Sequence, residues 1–500
     1  MSKDLAVSSK KSFLNKLFAE PDPKPVIQDK KQINKTYLFW RNSILITSYI
    51  IYVVAHLGRK SFSIVMPFME SSIGITTKDQ GLILAVSSVI YGIGKFINGS
   101  IADRSNVRTL LPINLILANG FNSLIAIVPW FYKTHAPSHT AIIIYMCLFM
   151  GASDWFQSAL FPYCAKSLIR WFPNATRAIW WAKFTTSSSL GNFISLNSKA
   201  FIASFFGKYG FEAIFVIPFI ISSLVAIIGF FSLRDRPVSI GLPDVEKIHG
   251  TKLETLNKKE QEEKDQEASA TYFQILKKYV FKNKIMWNLA LIHFCVNVFR
   301  SGPVVWIFKI LVGSTPKANT LDALQNIDKL AVFKTSILCV VGFLGTLFAP
   351  LISEKLFKGR HTPANFSCLL ICSLSVIGMW LGSSQYSPIF NNEILKNVVI
   401  FISLGVAGFA VCVPQVLVGG ICAVESSSKR VASAAYGFAG SLGYFGAASG
   451  HFINGMILDK SISLYNDARL TLLYWGVIAI IGALLCIPLW NVKANKEYSH

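Results

Sequence analysis

Long apolar runs dominate this chain and constrain its fold more than any other feature. The residues are 52% hydrophobic and only 15% charged, whereas a soluble domain is about a quarter charged. Twelve apolar runs alternate with polar loops, and each is long enough to cross about 30 Å of hydrocarbon as a helix. Because backbone groups must be paired within lipid, the sequence predicts an all-α polytopic membrane protein.

The twelve predicted transmembrane helices form two sets of six, one on each side of a charged segment. The predicted spans are 40–68, 79–101, 108–132, 139–170, 176–206 and 211–233, then 284–312, 328–353, 362–384, 396–423, 430–457 and 468–491. The predicted organisation is a tail at 1–37, a bundle at 38–233, a linker at 234–283 with its charged run Lys258–Asp265, a bundle at 284–491 and a tail at 492–500. Two six-helix bundles around a polar linker are the plan of the major facilitator fold, in which substrate lies between the bundles near the midplane.

The net charge of +22 raises the question of nucleic acid. The basic residues, however, are concentrated in alternate loops and in the tails, at 104–108, 166–177, 355–360 and 429–430 among others. That asymmetry predicts that both termini are cytoplasmic. Attraction between these loops and anionic lipid accounts for the charge, so the expected partner is the bilayer and no nucleic acid is expected.

Two arginines lie inside predicted spans, where charged residues are rare. Arg59 falls in the first span of the first half, and Arg300 in the first span of the second half. An ionised guanidinium near the middle of a span costs several kcal/mol, and arginine does not lose its proton in proteins. The matching positions predict one central anion site, with one arginine from each bundle.

Other polar residues accompany the two arginines. Tyr52 lies seven residues before Arg59 and therefore on the same helix face, whereas Lys60 points about 100° away from Arg59. Lys95, in the glycine-rich second span, either serves the site or extends its ammonium towards the headgroups.

In the seventh span, Asn297 lies one turn before Arg300 and on its face. Gly302 and Pro303 follow directly and are expected to weaken the helix, which suits a carrier whose bundles rock against each other.

Arginine has a specific chemical advantage over lysine at an anion site. Its planar guanidinium can bind a phosphate through two parallel hydrogen bonds. Two guanidiniums facing each other across an empty cavity repel, and a phosphate with about two negative charges neutralises both. An empty carrier of this kind resists closing and a filled one does not, which predicts exchange of one phosphate compound for another.

A repeated acid followed by bases marks the cytoplasmic end of the second helix in each half. Asp103 and Arg104 follow the second span, and Glu354 follows the eighth. We expect these acids to face a neighbouring helix terminus and to latch one conformation. Positive-inside charge alone explains the bases but not the acids.

Several strings resemble the organophosphate:phosphate antiporters of the major facilitator superfamily, and most of all bacterial glycerol-3-phosphate transporters. The longest are GRKSFSIVMP at 58–67 and YGIGKFINGSIADRSNVR at 91–108, with WFQ at 155–157, LRDRP at 233–237, NKIMW at 283–287, RSG at 300–302 and GYFG at 443–446. The resemblance covers nearly the whole chain outside the tails. It implies a bacterial inner-membrane antiporter, with glycerol-3-phosphate as the preferred cargo and hexose-6-phosphate as the alternative.

The resemblance also implies which residues bind. Arg59 and Arg300 are expected to hold the phosphate, with Lys60 and Lys95 nearby. Three further residues are expected to line the cavity: Tyr52, Gln157 and Tyr444.

Three residues depart from the family pattern. Ser188 stands where glycerol-3-phosphate transporters carry a histidine, so it can donate a hydrogen bond but offers no titratable cation. Asp154 and Lys183 are unexpected intramembrane charges. They are expected to form an ion pair, although Asp154 pairing with a cavity lysine or carrying a proton is an alternative.

Two other functions fit the same residues. One is a membrane sensor of organophosphates built on the same scaffold, and the other is a proton-coupled carrier of organic anions in which Asp154 couples transport. The sequence has no phosphate-binding loop of ATP-driven pumps and none of the cysteine spacings of a metal site. No enzyme activity, metal or cofactor is therefore expected, and a monomer is expected.

Overall fold

The structure is a computed structural model. It describes residues 18–103, 105–135, 137–243, 245–248, 274–275, 277–312, 329–383, 392–423, 426–427, 432–465 and 468–491. The predicted charged run Lys258–Asp265 and the predicted tail at 492–500 lie outside these residues.

Twelve helical rods account for nearly all of the described chain. In the first half they are α1 (Lys30–Arg59, continued by Ser61–Ile73), α2 (Thr77–Asp103), α3 (Val107–Ser123, continued to His135), α4 (His139–Trp171), α5 (Asn174–Phe206) and α6 (Gly210–Ser232). In the second half they are α7 (Lys284–Ser301, continued to Val312), α8 (Lys329–Leu351, continued to Leu356), α9 (His361–Ser383), α10 (Glu393–Val416, continued to Cys422), α11 (Ala432–Tyr465) and α12 (Arg469–Cys486).

Ten of these rods are long and apolar enough to cross a membrane, judged over the described residues. The two others, α5 and α11, are 33 and 34 residues long and rich in serine, glycine and asparagine. Small and polar residues of this kind let helix backbones approach closely inside a membrane bundle. The predicted all-α polytopic fold is therefore confirmed.

The helices pack mainly within their own half of the chain. In the first half α1 contacts α5 and α6, and α4 contacts α2 and α3. In the second half α7 contacts α11 and α12, and α10 contacts α8 and α9. The main contacts between the halves are α2 with α11 and α5 with α8, together with the ends of α1 and α7. Since α2 corresponds to α8, and α5 to α11, these contacts follow a two-fold relationship that leaves α1 and α7 on either side of a central space.

Both α1 and α7 change geometry immediately after their arginine. The first segment of α1 ends at Arg59, and the helix resumes at Ser61. In α7 the α-helical segment ends at Ser301 and widens into a π-helical turn at Gly302–Trp306. Pro303 lacks an N–H and cannot complete the regular helical bond pattern, which explains why the helix widens there.

The predicted latch is only partly described. Arg104 and the side chain of Asp103 lie outside the described part of the chain, and Glu354 is exposed. Glu354 forms no ion pair among the described residues.

A different ion cluster, which the sequence did not predict, lies at this end of the first bundle. Lys166 and Arg170 at the end of α4 pair with Glu20 of the tail at 2.9 and 2.6 Å, and Arg170 also pairs with Asp235 at 2.7 Å. Lys166 donates to the carbonyl oxygen of Ser105 as well, at 2.6 Å. The cluster therefore joins the tail, the α2–α3 loop and the segment after α6 within one bundle.

Candidate functional site

A polar cavity lies between the two bundles and is lined by both predicted arginines. Arg59 reaches it from α1 and Arg300 from α7. Each arginine lies in the last turn of its first helical segment. The unpaired carbonyl groups at a helix C-terminus carry partial negative charge and favour a cation there, so both helix breaks support the guanidiniums.

Arg59 is positioned by two tyrosines, one from each bundle. Its guanidinium carbon lies 4.6 Å from the ring centroid of Tyr91 on α2 and 6.0 Å from that of Tyr444 on α11. The two rings are themselves 4.2 Å apart. Arg59 also donates a hydrogen bond to the Tyr444 hydroxyl. A guanidinium has five N–H donors, so others remain for a ligand.

Lys60 is the third cation of the cavity. It is 6% exposed, and its ammonium lies 3.4 Å from the carbonyl oxygen of Val304 in the opposite bundle. Asn297 also lines the cavity, as predicted, and donates its amide to the carbonyl oxygen of His293 at 2.9 Å.

Neither arginine forms an ion pair with a carboxylate among the described residues. The carboxylate within the cavity wall is Asp154 on α4, which accepts a hydrogen bond from the hydroxyl of Ser87. Three positive charges and one negative charge therefore face this space in the described structure, an arrangement that attracts an anion.

The structure does not bring Asp154 and Lys183 together. The Lys183 side chain is exposed, and its ammonium lies 4.2 Å from the ring centroid of Trp180. A lysine near a helix end reaches water at little cost by lying along an aromatic face, so it does not need a buried carboxylate. The expected ion pair is corrected accordingly.

Four of the predicted site residues lie behind the cavity wall. Tyr52 packs against His56, with ring centroids 4.9 Å apart. Gln157 donates to the carbonyl oxygen of Ala55 at 3.1 Å and so joins α4 to α1. The Ser188 carbonyl oxygen accepts a hydrogen bond from the cavity residue Asn192.

Lys95 is the fourth residue behind the wall, and it points towards the opposite bundle. Its ammonium lies 4.8 Å from the ring centroid of Tyr436 and 5.4 Å from that of Tyr444, both on α11. Lys95 therefore contacts the site through Tyr444, which lines the cavity as predicted.

Several polar cavity residues were missed by the sequence reasoning. They are His56, Ser63, Ser87, Ser88, Asn122, Ser153, Asn192, Ser301 and His451. Helical spacing carried a usable signal, since His56 lies three residues before the predicted ligand Arg59 and Ser63 four residues after it. Polar residues one turn from a predicted ligand on the same helix were the candidates to add.

Comparisons with known proteins identify the family of the chain and its fold. The Major Facilitator Superfamily model matches residues 48–451. A "Probable hexose phosphate transport protein" of Chlamydia trachomatis serovar D is 30% identical over 97% of this chain and 99% of its own. The "Membrane sensor protein UhpC" of Salmonella typhimurium is 30% identical over 95% of this chain and 98% of its own. The "Glycerol-3-phosphate transporter" of Bacillus subtilis is 26% identical over 95% and 98%.

A solved structure shows the same fold. The inward open conformation of the xylose transporter XylE from E. coli superimposes with a TM-score of 0.61 at 13% identity, covering 92% of this chain and 98% of that one. This fold agrees with the family match and with the relatives' identity over nearly the full length. The chain belongs to the Major Facilitator Superfamily and, within it, to the organophosphate:phosphate antiporter family that its motifs resemble.

Proposed function

We propose that this protein exchanges an organophosphate for inorganic phosphate across the membrane by alternating access. The observation that carries the proposal is the pair of guanidiniums, Arg59 and Arg300, which line one cavity from opposite bundles without a carboxylate partner among the described residues. A phosphate dianion supplies the missing charge, and its oxygens match the paired donors of each guanidinium.

The same charges explain why exchange is favoured over net leakage. In the empty cavity Arg59, Lys60 and Arg300 repel one another, and closing the cavity strengthens this repulsion because water leaves. A bound phosphate group reverses the sign of the interaction, so that the loaded protein can close and reopen on the other side. Each crossing then requires a phosphate compound in the cavity.

Further elements of the proposal follow from the sequence and the family. We place the protein in a bacterial inner membrane, with both termini on the cytoplasmic side and a monomer as the working unit. The cargo inferred from the motifs is glycerol-3-phosphate, with hexose-6-phosphate as the alternative. Two of the relatives described above are named for these two classes of cargo.

Counterflow into liposomes tests the proposal. Purified protein is reconstituted with internal phosphate, and labelled glycerol-3-phosphate, glucose-6-phosphate or phosphate is added outside. We expect uptake that depends on internal phosphate and falls by at least about 100-fold in Arg59→Ala and in Arg300→Ala, because each removes a buried charged contact. Arg360→Ala, in the loop between α8 and α9, is the matched control and should retain uptake. Undiminished uptake into phosphate-free liposomes would contradict exchange.

A membrane sensor is the second candidate, favoured by the 30% identity to a relative named as one. A sensor would keep the two arginines and the cavity while catalysing no flux. Ligand binding, measured as protection against thermal unfolding by glucose-6-phosphate, together with no counterflow of any labelled phosphate compound would establish this second function and exclude the first.

A further inference from the structure

The carboxylate of Asp154 is the feature of the cavity that phosphate binding leaves unexplained. Its Oδ2 atom accepts the hydroxyl hydrogen of Ser87. No cation lies within ion-pair distance of it in the described residues, and its Oδ1 atom is not one of the buried side-chain atoms left without a hydrogen-bond partner, so it is open to the cavity. A partly buried carboxylate with free acceptor capacity requires donors from another source.

A phosphate group is not a suitable partner for this carboxylate. Phosphate dianions and carboxylates are both acceptors with negative charge, so they repel when they share a cavity. A phosphate oxygen held by Arg59, Lys60 and Arg300 is therefore disfavoured next to Asp154, although Arg59 itself attracts this carboxylate. The part of the cargo that suits the Asp154 side of the cavity is one that donates hydrogen bonds.

Two asparagines of the same bundle add to this acceptor character. Asn122 donates its amide N–H to the carbonyl oxygen of Gly58 at 3.0 Å, and Asn192 donates to that of Ser188 at 2.9 Å. A carbonyl oxygen can only accept, so these contacts assign the amide nitrogen and leave the amide oxygens as acceptors. Asn122 and Asn192 both line the cavity with Asp154.

The cavity is thus chemically divided between donors and acceptors. The cations supply donors for a phosphate group, and the side chains of α3, α4 and α5 supply acceptors. Alcohol hydroxyl groups are the uncharged donors that a phosphate ester carries on its organic part. A carboxylate–hydroxyl hydrogen bond is about twice as strong as one between neutral groups.

We propose that Asp154, held by Ser87, binds a hydroxyl group on the organic part of the cargo and sets the preference for hydroxyl-bearing phosphate esters. This inference rests on the proposed function of the same cavity. It makes Asp154 a specificity-determining residue, in contrast to a structural ion pair or a proton carrier. A site built to bind a hydroxyl rejects the analogue that lacks it, because its polar groups are then left unpaired.

The test compares two ligands that differ in hydroxyl groups alone. Glycerol-3-phosphate and propyl phosphate have the same carbon number and the same phosphate group. For each protein the two inhibition constants against labelled phosphate exchange give a ratio, and the ligand-induced rise in unfolding temperature gives the same comparison without transport. Glucose-6-phosphate serves as a third ligand with more hydroxyl groups.

We expect the unsubstituted protein to prefer glycerol-3-phosphate over propyl phosphate by at least about tenfold. Asp154→Ala should reduce this ratio towards one, and Asp154→Asn, which preserves the shape of the side chain, should reduce it partly. Ser87→Ala should also lower the ratio because it frees the carboxylate to move. Asp79→Ala is the matched control, because this carboxylate lies at the end of α2 beside His139, outside the cavity, and its ratio should stay unchanged.

Each other outcome contradicts the inference in a recognisable way. An unchanged preference for glycerol-3-phosphate over propyl phosphate in both Asp154 variants would show that Asp154 does not bind the hydroxyl group. An equal weakening for all three ligands shows a structural role, and loss of pH-gradient-driven accumulation with an unchanged ratio shows a proton carrier. If thermal unfolding gives the expected ratio and its loss in the Asp154 variants but the protein catalyses no exchange, the proposed transport function fails while the role of Asp154 stands.

Discussion

At the residue scale, the guanidinium group itself is what the site requires. Arg59 and Arg300 could in principle be replaced by lysine without changing the net charge of the cavity. Lysine, however, is a point charge whose three donors do not match the paired oxygens of a phosphate. The stacking of Arg59 on Tyr91 also depends on a planar group.

We therefore expect Arg59→Lys and Arg300→Lys to lower the counterflow rate by at least tenfold, although the charge is retained. The loss of one charge-assisted hydrogen bond of about 1.5–3 kcal/mol accounts for a decrease of this size. Arg360→Lys provides the control. Near-normal counterflow in both lysine variants would show that positive charge alone is sufficient and that the planar geometry of the guanidinium is unimportant.

Part of the cavity lining could be predicted from the sequence. Arg59, Arg300, Lys60, Asn297 and Tyr444 were predicted near the site, and all five line the cavity. Apolar spans make an internal charge conspicuous, so these cations could be found from hydropathy and symmetry. The side of each helix that faces the cavity is set by its packing against neighbouring helices. A sequence pattern alone does not specify that packing.

The other predicted residues show the effect of that missing rotation. Tyr52 shares a helix face with Arg59 yet packs against the rings of Phe161 and Phe184, 5.8 and 5.4 Å away. Gln157 binds a backbone carbonyl of α1. The Asp154–Lys183 pair was inferred from charge alone, but the two side chains lie in different environments. Pairing arguments need distances between helices that no single sequence provides.

At the scale of the elements, the close contact of α2 with α11 depends on glycine. A Cβ atom at Gly81 would lie 2.8 Å from the carbonyl oxygen of His451 and 2.9 Å from the Cα atom of Gly455. Both are backbone atoms, so the helices themselves would have to separate. Small residues at such positions let helix backbones approach in membranes.

We expect Gly81→Ala to weaken the α2–α11 contact and lower the unfolding temperature, because overpacking costs about 1–3 kcal/mol. Thermal unfolding in detergent measures the effect. Gly99→Ala, on the same helix where a Cβ atom would contact nothing within 4 Å, is the matched control for helix propensity. Equal unfolding temperatures in the two variants would show that α2 and α11 separate freely.

The docked tail segment provides a second prediction for the elements. Burial of the Glu20 carboxyl raises its pKa, but hydrogen bonds and attraction from Lys166 and Arg170 outweigh this and lower the pKa below its usual value. Glu20→Gln should destabilise the first bundle by about 1–2 kcal/mol, since charge-assisted hydrogen bonds are lost. Thermal unfolding again measures the change.

The pH dependence of this effect has a definite sign. Because the folded pKa of Glu20 is lowered, its contribution is complete above the unfolded value of about 4.3 and is lost as the pH falls through the folded value. The difference in unfolding temperature between the unsubstituted protein and Glu20→Gln should therefore be constant from pH 6 to pH 8, by this reasoning, and shrink below about pH 4. A difference that grows on acidification would contradict the pairing.

At the scale of the whole molecule, one ion pair closes the end of the cavity opposite the Glu20 cluster. Lys309 of α7 lies 2.6 Å from Glu70 of α1 and is 2% exposed. Its ammonium also donates to Thr77 at 2.7 Å and to Gln80 at 2.9 Å, both on α2. The contact thus joins the two bundles at this end, and we expect it to restrict access to the cavity from this side.

The ion pair between Glu70 and Lys309 was not predicted from the sequence. Glu70 lies about three turns beyond Arg59, and Lys309 about two and a half turns beyond Arg300. The two positions lie at a similar distance beyond the arginines but are not equivalent in the two halves. A charge near a predicted helix end is ordinarily exposed, so burial between the bundles could be recognised only in the structure.

We expect Glu70→Gln to open this end of the protein. Lys309 is buried but the Glu70 side chain is 33% exposed, so removing Glu70 costs less than the ~3–5 kcal/mol of a fully buried pair. A cost of about 1.4 kcal/mol already changes a population tenfold. The cavity should then be accessible far more often from the side opposite the Glu20 cluster. Alkylation of a cysteine introduced by Ser63→Cys in the cavity wall, with an impermeant reagent added on that side, measures this access as a rate.

The charge-swapped protein separates the ion pair from other effects of the substitution. We expect Glu70→Gln and Lys309→Gln each to raise the alkylation rate at least tenfold over the Ser63→Cys background, and the double variant Glu70→Lys with Lys309→Glu to return it most of the way. Asp79→Asn, which removes a carboxylate at the same end of α2 but outside the bundle interface, should leave the rate unchanged. If the double variant is alkylated as fast as the single variants, the ion pair is not what holds this end closed. The hydrogen bonds of Lys309 with Thr77 and Gln80 would then be the contacts that must break when the bundles rock.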